Sequence, residues 1–286
     1  MHSKHFSYAR FAQIVLAVLI ITSPLLAQRG EGPLDPSQPN GISVDEIIRR
    51  FAAKEKQFKI AREQYAYRQD LLVQTLDGDT PNGEFREVED VLFDDKGNRI
   101  EHVVFAPEST LVGILMTKED YDDIRRRMPF VLTSDEISDY NILYVGKQRE
   151  DELGTYVFDV APKQIEKNRR YFQGRIWVDD HDFQIVKTYG KNVPDLGNKK
   201  RGQENLFPNF TTWRQQIDGK YWFPVYTKVD DTLHFSTGDI HIRQIVKYTD
   251  YKRFGSNVKI TYEGQEISKG EQSGSQPQPS QPQPKQ

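Results

Sequence analysis

The stretch from Leu153 to Lys191 constrains the fold most, because it contains three strand-like runs in quick succession. The first two, Tyr156–Val160 and Tyr171–Val178, are rich in β-branched and aromatic residues. In the second run the even-numbered residues are apolar or glycine, whereas the odd-numbered ones include polar side chains, so the strand has two unlike faces. The polar residues Asp179–Asp182 then reverse the chain into Phe183–Tyr189. This pattern predicts antiparallel sheet.

The first 27 residues are typical of an export signal. Lys4 and Arg10 form a basic start, and the apolar run Ile14–Ile21 is too short to span a bilayer comfortably. We predict cleavage after Ala27, with an uncleaved anchor as the alternative because Leu25 is large for its place. The chain has no cysteine. An exported protein of this composition therefore depends on its core rather than on disulfides, and it has no thiol for lipid modification.

Four regions follow from composition and periodicity. Residues 1–27 are the predicted signal peptide, 28–41 a proline-rich linker, 42–263 one domain, and 264–286 a disordered tail rich in glutamine and proline. Within the domain, Ser43 and Glu46 have the spacing of a capping box before an amphipathic helix. A meander of long strands, a second helix at Thr117–Met128 and further strands come next. The order predicts an α+β fold, an open antiparallel β-barrel or strongly curved sheet covered by helices.

Charge and motifs exclude several functions. The net charge is −3, with cations dispersed among acids, so nucleic acid is an unfavourable partner. No phosphate loop, nucleophile elbow or paired metalloprotease histidines are present, and we predict no catalytic residues, no cofactor and no metal. His181, within Asp179–Asp182, is the best metal candidate, although short polar residues are equally what a hairpin turn requires. A hydrolase built from scattered carboxylates and histidine stays open as an alternative.

Apolar and aromatic residues are the strongest sign of a binding site. They form either an ordinary filled core or a groove between sheet and helices that admits an acyl chain. The candidate lid or groove residues are Leu111, Val112, Ile114, Leu115 and Met116, with Trp177, Trp213 and Trp222 as walls.

Two motifs resemble a known family. The run Tyr156–Lys163 followed by Arg175–Asp179 is similar to the strand, Pro-Lys and Trp-Val-Asp pattern of the LolA-like periplasmic lipoprotein carriers and outer-membrane lipoprotein-sorting proteins. Gly97-Asn98-Arg99 stands where the carriers have a glycine and an arginine that helps to hold the lid closed. The resemblance implies that role for Arg99, with a solvated strand-end arginine as the alternative. Lys96 and Ile100 depart from the proline and tryptophan usual in the carriers.

The resemblance, with the predicted signal, implies a periplasmic protein that is not integral to the membrane once the signal is cleaved. Its expected activity is non-enzymatic binding of a lipid or of an acylated lipoprotein, as a carrier or chaperone in lipoprotein sorting at the cell envelope. The alternative is a protein-interaction or envelope-stress sensor domain of the same fold, whose partner is an envelope protein.

Overall fold

The computed structural model describes residues 31–94, 96–127, 132–166, 169–194, 208–235 and 237–254. The predicted signal peptide, the glutamine- and proline-rich tail and the end of the second predicted helix lie outside these ranges. In chain order the elements are helix α1 (Val44–Arg62), strands β1 (Tyr65–Asp77), β2 (Thr80–Phe93) and β3 (Arg99–Phe105), helix α2 (Lys118–Arg127), a short 3₁₀ turn (Ile137–Asp139), and strands β4 (Tyr140–Glu150), β5 (Leu153–Pro162), β6 (Tyr171–Asp179), β7 (Ile185–Val193), β8 (Phe210–Ile217), β9 (Tyr221–Phe235) and β10 (Gly238–Arg253).

All ten strands belong to one antiparallel sheet with the order β3-β2-β1-β10-β9-β8-β7-β6-β5-β4. Every neighbouring pair is consecutive in sequence except β1 and β10, which pair from Tyr65↔Arg253 to Leu76↔His241. β3 and β4 are the two ends of this order, so the described strands do not close into a barrel. The predicted open antiparallel sheet is confirmed.

One buried cluster, the central core, lies on the helix-facing side of the sheet. It has members on every strand from β4, with Tyr140, to β10, with Ile242. Ile47 and Phe51 of α1 belong to the same cluster and have no exposure to solvent. A core that is continuous over seven strands and one helix is what the predicted curved sheet requires.

Helix α1 begins as the sequence predicts. The Ser43 hydroxyl accepts the backbone N–H of Glu46 at 3.2 Å, which satisfies one of the unpaired donors of the first turn. Further along the helix, Glu55 lies fully buried and pairs with Arg214 of β8 at 2.7 Å. Two opposite charges that are removed from water together are compatible with an apolar interior, whereas either one alone would be costly.

The turn before β7 is longer than predicted. Asp179 Oδ2 accepts the backbone N–H groups of His181 and Asp182, at 3.2 and 2.9 Å. Phe183 then has a positive φ of 59°, so it belongs to the turn and the strand begins at Ile185. A tight hairpin turn at Asp218-Gly219 joins β8 and β9, and both residues have the positive φ values, 52° and 63°, that such a turn requires.

Part of the predicted linker is paired with the sheet. Gly32 donates its N–H to the Arg149 carbonyl at 2.8 Å, and Asp35 and Lys147 exchange two backbone hydrogen bonds of 2.8 and 2.7 Å. The proline-rich composition predicts an extended chain, and an extended chain is what an open sheet edge accepts. Residues 31–35 therefore run along the outer edge of β4. No helix in the described ranges has an apolar stretch long enough to cross a bilayer.

Candidate functional site

Strand alternation places two different surfaces on the two faces of β6. Phe172, Ile176 and Val178 face α1 and belong to the central core. Arg175 and Trp177 point to the opposite face. This division agrees with the alternation predicted from the sequence, apart from Tyr171, which packs in the core beside Tyr140.

The face opposite α1 carries an open groove of about 1000 Å³, which we call the tryptophan groove. Side chains of β4 to β8 line it, together with Glu31 from the N-terminal segment. Its aromatic and aliphatic members are Leu143, Val160, Ala161, Trp177, Tyr189 and Trp213, and its polar members include Gln148, Asp159, Gln173, Arg175, Lys187, Lys191, Asn141, Asn209 and Thr211. Leu143 and Tyr189 are well exposed, at 66% and 48%. The groove is therefore amphipathic and accessible.

Lys187 lines this groove and is only 4% exposed. Its ammonium group lies 4.6 Å from the ring centre of Trp177 and 5.7 Å from that of Trp213, within the range of cation–π attraction. It donates to both carboxylate oxygens of buried Glu150, each at 3.0 Å. Glu31, whose side chain is 51% exposed, contacts the same ammonium group.

The tryptophans are oriented by hydrogen bonds. Trp177 Nε1 donates to Gln148 Oε1 at 2.8 Å, and Trp222 Nε1 donates to Asp182 Oδ2 at the same distance. Trp213 packs against Tyr226 with ring centres 5.7 Å apart. Trp177 and Trp213 both line the groove, whereas Trp222 does not and packs against the cluster of Val157, Trp177 and Val186.

The predicted apolar segment, Leu111–Met116, lies elsewhere. Leu111 and Met116 pack on the cluster formed by β1, β2, β10 and α2, and Ile114 packs on the central core. Val112 and Leu115 point outward, 51% and 80% exposed. The backbone N–H of Val112 donates to the Thr75 hydroxyl at 3.2 Å, which links the segment to β1. The segment therefore covers the helix-facing side of the sheet, and the structure does not bring it together with Trp177 and Trp213.

Arg99 is a buried strand residue rather than a solvated one. Its guanidinium donates to Tyr67, to Glu89 at 2.8 Å, and to Glu101. These partners belong to β1, β2 and β3, and burial raises the pKa of the Tyr67 hydroxyl above its ordinary value. The contacts join Arg99 to the sheet itself.

The acidic turn has the composition of a small cation site. One ligand atom each from Asp179, Asp180 and His181 lie within 4.8 Å of one another. Asp179 is already the acceptor that shapes the turn, and burial, followed by the nearby Asp182, raises the pKa of its carboxyl group. These oxygens account for the hairpin turn without an ion.

Sequence reasoning missed Leu143, Tyr189, Lys187, Arg175 and Glu31. Arg175 and Tyr189 are paired across β6 and β7, but this register depends on the turn, which is longer than the sequence predicts. Arg175 also pairs with Asp159 of β5 at 2.7 Å, and this hydrogen bond raises the pKa of the guanidinium group. Nothing in the local sequence distinguishes Lys187 from a solvated lysine.

No family model matches the chain. A curated relative, the probable phosphoribosylformylglycinamidine synthase of Caenorhabditis elegans, is 28% identical over 102 residues, which cover 35% of this chain. The match spans only 7% of that protein's length.

Three solved structures are similar over most of their length. A DUF1329 family protein from Desulfovibrio piger is 12% identical with a TM-score of 0.39, covering 78% of this chain and 96% of that one. A LolA superfamily protein from Nitrosomonas europaea is 13% identical (TM-score 0.33, covering 71% and 95%). A putative outer membrane lipoprotein-sorting protein domain from Vibrio parahaemolyticus is 15% identical (TM-score 0.32, covering 72% and 92%). Two of these three structures carry the names of the family that the sequence motifs resemble.

Proposed function

We propose that this chain is an exported, non-enzymatic protein of the periplasm that binds a lipid or the acyl chains of a lipoprotein, and that the tryptophan groove holds the ligand. The observation that carries the proposal is the groove itself, an accessible volume of about 1000 Å³ lined by both aromatic or aliphatic residues and polar residues. Ligand sites of proteins commonly combine these features. The export signal predicted for residues 1–27 supports the location.

The chemistry of the lining supports an amphiphile. Leu143, Tyr189 and Trp213 offer apolar surface to a hydrocarbon chain, and each methylene group that leaves water contributes about 0.8 kcal/mol. The side-chain amide of Gln173 offers hydrogen-bond donors and an acceptor to a polar headgroup. Binding of this kind needs neither a nucleophile nor a metal.

Native mass spectrometry of the exported protein, followed by organic extraction and lipid analysis, tests the proposal directly. We expect co-purified acyl species at a fixed stoichiometry, or uptake of fatty acid on titration. A ligand-free mass with no uptake would contradict it.

Two matched variants then locate the bound hydrocarbon. Leu143 lies in the groove and Leu115 in the segment Leu111–Met116, and both are exposed. Each is replaced by aspartate in a separate variant. Loss of binding in Leu143→Asp with retention in Leu115→Asp is the outcome expected for the groove. The reverse result would assign the ligand to the lid segment on the helix-facing side. Phe105→Asp, on the exposed β3 edge, controls for surface charge.

A protein-interaction role is the second candidate, and β3 is the observation that favours it. This edge strand exposes Ile100, Val103, Val104 and Phe105, each by 44% to 50%. An apolar strand at the end of a sheet can accept an extended segment of a partner. Crosslinking from a probe placed at Val104 in envelope extracts would identify such a partner, and the absence of any specific adduct would remove this candidate.

A further inference from the structure

Lys187 has the hydrogen-bonding geometry of a built anion site. An ammonium group has three N–H donors and no acceptor. Both oxygens of Glu150 accept from Lys187 at 3.0 Å, and Glu31 accepts from the same nitrogen. Because Lys187 and Glu150 are each less than 10% exposed, they form a neutral pair inside the groove wall. Glu31 brings a second carboxylate to a lysine whose charge is already balanced.

Glu31 approaches this pair from the solvent side. Its side chain is half exposed, and it lines the tryptophan groove. The segment that carries it lies along β4, where Gln148 Nε2 donates to the Gly32 carbonyl at 2.8 Å and Gly146 leaves room for the Asp35 carbonyl, which a β-carbon there would meet at 2.3 Å. The sheet edge is therefore shaped to receive this segment and to bring the Glu31 carboxylate into the groove.

A ligand that takes the place of Glu31 must replace its hydrogen bond. If a neutral apolar group displaced Glu31, one N–H of a nearly buried ammonium group would lose its acceptor, which is costly. A carboxylate or phosphate oxygen restores the bond in its stronger, charge-assisted form. The rings of Trp177 and Trp213, 4.6 and 5.7 Å from the ammonium group, line the same groove as Lys187 and Glu31.

We propose that the tryptophan groove selects amphiphiles with an anionic headgroup, a carboxylate or a phosphate, that binds Lys187, and that Glu31 occupies the headgroup position in the ligand-free protein. This inference rests on the proposed function, because it names the ligand class of the same groove. The hydrocarbon chain lies toward Leu143 and Tyr189.

Isothermal titration of the exported protein with three probes tests the inference: decanoate, decyl phosphate and the neutral decyl maltoside, each below its micelle concentration. We expect at least one anionic probe to bind about 10-fold more tightly than decyl maltoside, a difference of about 1.4 kcal/mol. Comparison of the two anions shows whether the site prefers carboxylate or phosphate.

Glu31→Gln removes the competing carboxylate from a half-exposed position, so the fold is retained. We expect this variant to bind the preferred anionic probe roughly 3- to 10-fold more tightly and decyl maltoside with unchanged affinity, since a neutral amide competes less well for an ammonium group. Glu152→Gln, which removes an exposed acid from the neighbouring β4–β5 turn, is the matched control and should change neither affinity.

The outcomes separate the two proposals. Equal affinity for anionic and neutral probes, or an unchanged anion affinity in Glu31→Gln, overturns the inference and leaves lipid binding in place. Failure of every probe to bind overturns lipid binding and the inference together.

Discussion

Tyr65 shows how burial of a single residue links stability to pH. Its ring is 1% exposed and packs against Phe223, and its hydroxyl donates to Asp218 at 2.9 Å. Burial, together with the Asp218 carboxylate, raises the pKa of Tyr65 to about 12. An unfolded tyrosine ionises near pH 10, so between these values only the unfolded chain gains from losing the proton. Stability contributed by Tyr65 is complete below about pH 10 and is lost as the pH rises toward 12.

Urea unfolding of the wild type and of Tyr65→Phe at pH 8, 10 and 11 measures this loss. We expect the variant to be less stable at pH 8, because it lacks the hydrogen bond to Asp218, and the difference to shrink as the pH rises. Tyr189→Phe, at an exposed tyrosine, is the control. Its free energy of unfolding should differ from that of the wild type by the same amount at each pH. A pH-independent difference for Tyr65→Phe would show that this hydroxyl is not held protonated by the fold.

For single residues, the sequence indicates which side chains can line a binding site better than it indicates which side chains they contact. Trp177 and Trp213 are predictable as walls because large aromatic residues stand out in any strand, and the structure brings them to one groove. Lys187 is not predictable, because its burial depends on Glu150 and Trp213, which lie on other strands. Partnership across strands depends on register, which single residues do not encode.

Strands β6 and β7 approach each other closely where two glycines face each other. Gly174 pairs with Gly190 across these strands. A β-carbon on Gly174 would lie 2.1 Å from the Tyr189 carbonyl oxygen, and one on Gly190 would lie 2.2 Å from the Gln173 carbonyl oxygen. These contacts involve backbone atoms, which cannot rotate away as a side chain does. The two glycines therefore permit the close approach of the two strands beside the tryptophan groove.

Gly174→Ala should accordingly destabilise the protein by about 3 kcal/mol or more, at or above the usual upper range for overpacking. Gly78→Ala is the control. Gly78 has a φ of 60° at the β1–β2 turn, and an added methyl group there meets open space, so we expect only the 1–2 kcal/mol, roughly, of a left-handed alanine. The urea midpoints of the two variants measure the stability that each one loses. Equal losses of stability in Gly174→Ala and Gly78→Ala would mean that the sheet relaxes around the extra carbon.

Most elements could be predicted because their patterns are local. The capping box fixed the start of α1, and alternation located the strands to within a few residues. The edge pairing of residues 31–35 could not be predicted, since proline-rich composition indicates an extended chain but not what it lies against. The helix-facing position of Leu111–Met116 likewise depends on how the whole sheet curls.

At the scale of the whole molecule, the sheet consists of two meanders joined at one seam. Strands β4 to β10 follow one another in sequence, as do β1 to β3, and β1 pairs with β10 to make one sheet of both. β10 is therefore paired on both sides over its central residues, 241–247, and Val246 and Tyr248 are buried in the cluster that includes Ile124 of α2. β3 lies at one end of the order and pairs with β2 alone.

Amide hydrogen exchange should follow this arrangement. We expect the amides of residues 241–247 in β10 to open only with global unfolding, and those of β3 to exchange at least about 100-fold faster, because an edge strand with exposed side chains opens locally. At the other end of the sheet, the Lys147 amide donates to the Asp35 carbonyl at 2.7 Å, so it should exchange slowly although β4 is terminal in the strand order. Asp35→Pro removes the Asp35 N–H that bonds the Lys147 carbonyl, and should speed exchange at Lys147 while leaving β10 unchanged. Fast exchange at Lys147 in the wild type would mean that the N-terminal segment does not cover this edge in solution, and Glu31 would then have no fixed position in the groove.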